Sequence, residues 1–96
     1  LTKDEIKRVL SDLINDYLDE DKDANEIFNL LMRKLNANEI YDINDFFITD
    51  CYFAIKQLLE DGYETTKQEL QYFRKCFSGS RKYDNNEKMS SFYVKR

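Results

Sequence analysis

Apolar residues recur at spacings of three and four from the first turn of the chain, where Ile6, Val9, Leu10, Leu13, Ile14, Tyr17 and Leu18 form one stripe. A period of 3.6 residues puts that stripe on one face, so it predicts an amphipathic helix over about residues 3–19. Ahead of it stands Thr2-x-x-Glu5, a capping box in which each side chain satisfies a free amide of the first turn. Leu1 and Ile6 are placed as its hydrophobic staple.

The run from Asp19 to Asp23 interrupts the stripe, and Asp23 with Glu26 repeats the capping signature for a second helix whose inner face is Ala24, Ile27, Phe28, Leu31 and Leu35. Asn36, Ala37 and Asn38 are its expected end, because asparagine tolerates the left-handed conformation that closes helices. Ile43, Phe47, Cys51, Ala54, Ile55, Leu58 and Leu59 describe a third helix over about residues 43–61. Phe46, Ile48, Tyr52 and Phe53 lie off its main stripe, and a helix apolar on several sides belongs in the middle of a bundle. Gly62 marks a turn, Thr66 with Glu69 opens a fourth helix, and Leu70, Phe73, Cys76 and Phe77 face inward until Gly79. Asp84 and Glu87 either cap a short fifth helix or belong to a mobile tail. The expectation is an all-α fold, a compact bundle of four to five helices, with residues 1–79 as the bundle and 80–96 as a basic C-terminal tail or short fifth helix of the same domain.

Composition supports one such domain: 96 residues, 42% hydrophobic, 35% charged and no proline are too apolar for a disordered chain and too unbroken for a loop-rich one. No run approaches the roughly 18 apolar residues of a spanning helix and no signal-peptide pattern opens the chain, so a soluble protein without membrane contact is expected. Cys51 and Cys76 each sit inside an apolar stripe, which suits reduced thiols and a cytoplasmic location. The net charge of −4 conceals an asymmetry. Residues 1–70 hold eight Lys/Arg against seventeen Asp/Glu, a net −9, whereas residues 71–96 hold seven against two, a net +5.

Several chemistries lack their residues. Without histidine, the commonest general base and metal ligand is missing. Two cysteines 25 positions apart do not make a zinc site, and two isolated glycines do not make a phosphate-cradling loop. Asp19, Asp21 and Asp23 alternate like calcium ligands, but Ala24 and Leu30 stand where that loop needs glycine and glutamate. Asp42 with Asp45, or Asp50 with Glu60, could pair as catalytic carboxylates, but no other catalytic element accompanies them. The third and fourth helices invite comparison with a DNA-reading pair whose outer face would carry Lys67, Gln68, Gln71, Arg74 and Lys75. An acidic body argues against that, since duplex binding depends on neutralising phosphates. The expectation is a non-enzyme without cofactor or metal, for which nucleic acid is an unfavoured partner.

On a helical wheel Glu5, Asp12, Asp16 and Asp19 fall within about 60 degrees of one another, beside the apolar face and countered only by Arg8. Such a row is commonly just a solvated face, yet like charges at this spacing repel, and Asp19 and Glu20 also sit at the unfavourable end of the helix dipole. The competing role is a surface for a basic partner, with Asp12, Asp16, Asp19 and Glu20 as first candidates. Asp42, Asp45 and Asp50 form a second cluster near the aromatic helix. Tyr41, Tyr52, Tyr63 and Tyr72 lie off the main stripes, where tyrosine can serve as a rigid contact anchor, and Tyr52 is taken into the candidate site.

From Phe46 to Phe77 the chain resembles small helical bacterial immunity proteins, of the colicin D type and of contact-dependent inhibition systems. The likeness rests on an aromatic-rich helix with Asp50-Cys51-Tyr52-Phe53-Ala54-Ile55, the Gly62 turn, and Thr66 to Glu69-Leu70 opening the next helix. It implies a one-to-one complex in which acidic groups occupy the basic cleft of a toxin, a nuclease in the first instance. The basic C-terminal region departs from a uniformly acidic inhibitor. It keeps open the alternative of a small nucleic-acid-binding or phage regulatory protein that works through that region.

Overall fold

Among the described residues, each α-helix begins on a side chain that accepts a hydrogen bond from a first-turn amide. The computed structural model describes residues 1–60, 62 and 65–92, with side chains described as far as residue 88. Tyr63, one of the four tyrosines singled out above, lies outside the described residues. The elements are α1 (Lys3–Leu18), α2 (Ala24–Lys34), α3 (Ala37–Ile43), α4 (Phe46–Lys56) with a 3-10 turn at Gln57–Leu59, α5 (Lys67–Phe77) and α6 (Asn85–Phe92). Their caps are Thr2, Asp23, Asn36, Asp45, Thr66 and Asp84. An N-cap of this kind contributes about 1 kcal/mol, which matters most for the seven-residue α3 and the eight-residue α6.

The fold is an all-α bundle, with six α-helices among the described residues against the four to five expected. Asn36 does not end α2 in a left-handed turn. It sits in the extended region and caps α3, forming a full box with Glu39. The left-handed asparagine is Asn44, at φ 56°, which closes α3 and lets Asp45 start α4. The predicted single helix over 43–61 is therefore a short helix end, a corner at Asn44–Asp45, and a helix that tightens after Lys56. Gly79, at φ 83°, follows the end of α5 in a conformation that costs glycine little.

The core gathers Ile6, Leu10, Leu13 and Ile14 of α1, Ile27 and Leu31 of α2, Ile40 of α3, Ile48, Cys51, Tyr52, Ala54 and Ile55 of α4, and Leu70 and Phe73 of α5. α4 is central and packs on α1, α2, α3 and α5, as its all-round apolar character required. α1 also lies along α2 and α5, while α6 packs on α5. Among the described residues no helix is long and apolar enough to cross a membrane.

Candidate protein-binding surface

The acidic row of α1 is largely engaged within the fold. Glu5 accepts from the Thr2 amide at 2.7 Å, and that bond holds its carboxyl below the usual range. Asp16 pairs with Lys22 at 3.1 Å and Asp19 with Arg74 of α5 at 3.0 Å. Asp12 is exposed and no ion pair reaches it among the described residues, while Glu20 is exposed at the left-handed residue beyond the helix, φ 64°. A groove of ≈ 260 Å³ runs beside this row, lined by Val9, Asp12, Leu13, Asp16, Lys22, Leu30 and Lys34. Its two lysines offset its two aspartates.

Arg74 and Lys67 would line the DNA-facing side in the helix-pair comparison, but both turn to α1: Arg74 grips Asp19, and the Lys67 ammonium lies 5.8 Å from the Tyr17 ring centre. Arg81 pairs with Glu87 at 2.6 Å, and Lys88 is buried. Three of the cations that gave residues 71–96 their basic character, Arg74, Arg81 and Lys88, are thus occupied internally.

The second acidic cluster is rearranged by the corner between α3 and α4. Tyr41 and Phe46 are 57% and 65% exposed, and with Asn44, Asp45 and Thr49 they line a shallow groove of ≈ 420 Å³. The Tyr41 ring lies 6.0 Å from that of Phe53, and Phe46 meets Tyr83 edge-on at 6.2 Å. Asp42, one residue beyond Tyr41, is exposed. Asp45 accepts from the Ile48 amide at 3.1 Å and pairs with Lys3 at 2.9 Å. Burial pulls its carboxyl up, but the Lys3 ammonium and the amide outweigh it and leave it below its ordinary value. From Ala37 to Ile55 the chain carries Glu39, Asp42, Asp45 and Asp50 and no lysine or arginine.

Three residues singled out from the sequence, Tyr52, Tyr72 and Asp50, are drawn into the fold by this packing. Tyr52 is only 2% exposed, locked in the core with its ring edge-on to Phe53 at 5.1 Å, so it is not a surface anchor. Tyr72 is likewise buried, its hydroxyl accepting from the Asp84 amide at 2.6 Å. Asp50 does not project toward a partner. Its Oδ2 accepts from the Tyr83 hydroxyl at 2.7 Å and lies 3.3 Å from the Lys88 ammonium.

That ammonium belongs to a network the sequence concealed. Lys88 of α6 is 1% exposed and donates to Glu69 Oε2 at 2.7 Å, with Glu69 itself 1% exposed, and it lies 5.5 Å from the Phe73 ring centre. Thr66 caps the Glu69 amide as expected, but the Glu69 side chain turns inward to Lys88 and does not complete a capping box. Burial and the bond to Asp50 push the Tyr83 phenol well above its ordinary range. Burial likewise raises both thiols, Cys51 wholly enclosed and Cys76 half-buried, and both are free.

Comparison of the chain with protein-family models, with curated proteins and with solved structures finds no match in any of the three.

Proposed function

We propose that this protein is a binding protein that inhibits a basic protein partner, in the manner of an immunity protein that neutralises the toxin of its own bacterial cell, a nuclease in the first instance. The observation that supports it best is the α3–α4 corner, where two large aromatic side chains stand in solvent beside carboxylates on a stretch without a cation of its own. Tyr41 and Phe46 line one groove while leaving more than half of each in solvent, and rigid aromatics beside a charged rim are what a protein interface uses as anchors. Asp42 gives the corner the sign that attracts a basic cleft, Asp45 being paired with Lys3, and Asp12 and Glu20 contribute to steering at longer range.

The resemblance over Phe46–Phe77 adds the immunity reading, and a one-to-one complex in the cytoplasm belongs to it. The test is coexpression with the product of the reading frame directly preceding this one. The chain should relieve the toxicity of that product and copurify with it in equal proportion. Undiminished toxicity with no complex formed ends the inhibitor reading.

A further inference from the structure

Phe46 sits on the first turn of α4, more than half in solvent, where a phenylalanine ordinarily samples several rotamers. Its neighbour in space is Tyr83, from the segment joining α5 to α6. Tyr83 is in turn held from several sides. Its ring lies 5.1 Å from Phe47, 6.3 Å from Tyr72 and 6.4 Å from Phe73, the last stacked at an interplanar angle of 17°. Its hydroxyl donates to Asp50 Oδ2 at 2.7 Å. The same oxygen lies 3.3 Å from the Lys88 ammonium, which also pairs with Glu69.

We propose that the C-terminal segment is a positioning device for the recognition corner, with Lys88 fixing Asp50, Asp50 fixing the Tyr83 hydroxyl, and the Tyr83 ring fixing Phe46. This rests on the corner being the docking surface and adds a role for residues far from it in sequence. A buried ammonium between two carboxylates is a poor way to gain stability compared with apolar packing, but its bonds are directional and admit one seating of α6. That seating places Tyr83 beneath Phe46, so the anchor is ordered before a partner arrives and less entropy is lost on binding. Lys88 and Tyr83 touch no partner in this scheme. They act through Phe46.

The test labels the full-length chain with 4-fluorophenylalanine at position 46, with a control label at Phe28 on α2, and follows fluorine resonances in Tyr83→Leu, Tyr83→Phe and the paired Lys88→Met/Glu69→Gln. The paired change avoids stranding a buried carboxylate, and Tyr83→Phe leaves the ring cluster in place should the others unfold. Tyr83→Leu should move the Phe46 signal toward that of the free amino acid and narrow it, Tyr83→Phe and the paired change should do so partly, and Phe28 should stay put. A Phe46 signal unchanged in a folded Tyr83→Leu protein overturns the device.

A second arm measures affinity for the product of the preceding reading frame in a double-mutant cycle. Tyr83→Leu should weaken binding by about three- to tenfold when Phe46 is present and leave it unchanged in a Phe46→Ala background. Equal losses in both backgrounds mean a merely structural role. If that product does not bind at all while the fluorine results hold, the functional reading fails and the ordering of Phe46 by Tyr83 stands apart from it.

Discussion

Replacing Lys88 with methionine keeps the length and most of the packing of the side chain while deleting its charge. The wild-type ammonium is 2% exposed at side-chain level and lies 2.7 Å from a carboxylate that is 1% exposed, so Lys88→Met takes a charge partner away from a buried carboxylate. Removing one partner of a buried ion pair costs about 3–5 kcal/mol, chiefly the penalty of the stranded charge. Asp50 adds less, because at 19% side-chain exposure it retains some hydration and the Tyr83 hydroxyl. The contact with the Phe73 ring falls within the same range and is not counted again. For a domain of this size each kcal/mol lowers Tm by about 4–8 °C, so a drop of at least about 12 °C is expected. Urea unfolding followed by circular dichroism should show a lower midpoint with an unchanged slope. Adding Glu69→Gln should restore about half or more of the loss, since the carboxylate that Lys88 had faced is then neutral. A Lys88→Met protein within about 1 kcal/mol of wild type would behave as exposed pairs do, and would refute the buried network.

Other outcomes follow from the same packing. The Cys51 thiol and the Tyr83 phenol are both raised, so the folded chain holds protons that the unfolded chain releases, and the stability each contributes is present below its ordinary value, 9.0 for the thiol and 10.0 for the phenol, and lost as pH rises above it. Thermal melts should therefore steepen in their decline above that pH, and Cys51→Ala should flatten the first part of the decline while lowering stability throughout. Asp45 is depressed, so its contribution is present above the ordinary 3.8 and lost as pH falls through its lower folded value. Asp45→Asn should blunt acid denaturation in that window and, since asparagine still caps, cost about 1 kcal/mol or less at neutral pH. Asp12→Lys should leave the unfolding free energy unchanged to within about 0.5 kcal/mol, whereas Asp16→Lys forfeits the Lys22 pair and should cost up to about 1 kcal/mol, a contrast that calorimetry can resolve.

How much of this was legible in sequence depended on whether a residue's local role was also its tertiary role. Thr2, Glu5, Asp23 and Glu26 act within one turn, and their spacing is enough to place α1 and α2. Asn36 was misassigned because asparagine suits both ends of a helix, although Glu39 three residues on carried the deciding signal for a start. Glu69 hid behind its own capping pattern, which accounted for it fully and gave no sign that its side chain turns to Lys88. Nothing in the local pattern of residues 80–92 marks Lys88 as buried, since Glu69 and Asp50, with which it pairs, lie 19 and 38 positions away. Tyr41 and Phe46 stood off the apolar stripes as Tyr52 and Tyr72 did. Which pair would face solvent was decided by the corner at Asn44, a tertiary feature that periodicity cannot report.

The central claim is that the α3–α4 corner receives a basic partner, and the most direct measurement is the affinity of the cognate partner for wild type, Tyr41→Ala/Phe46→Ala, Asp42→Lys and Asp12→Lys, each at low and at physiological ionic strength. Truncating both aromatics should cost at least about 2 kcal/mol, as interface anchors do, with little change in association rate. Asp42→Lys should slow association and weaken its salt dependence, and Asp12→Lys should do so to a smaller degree. A partner that binds Tyr41→Ala/Phe46→Ala as tightly as wild type while losing affinity for Asp12→Lys would place the interface on α1 and contradict the account.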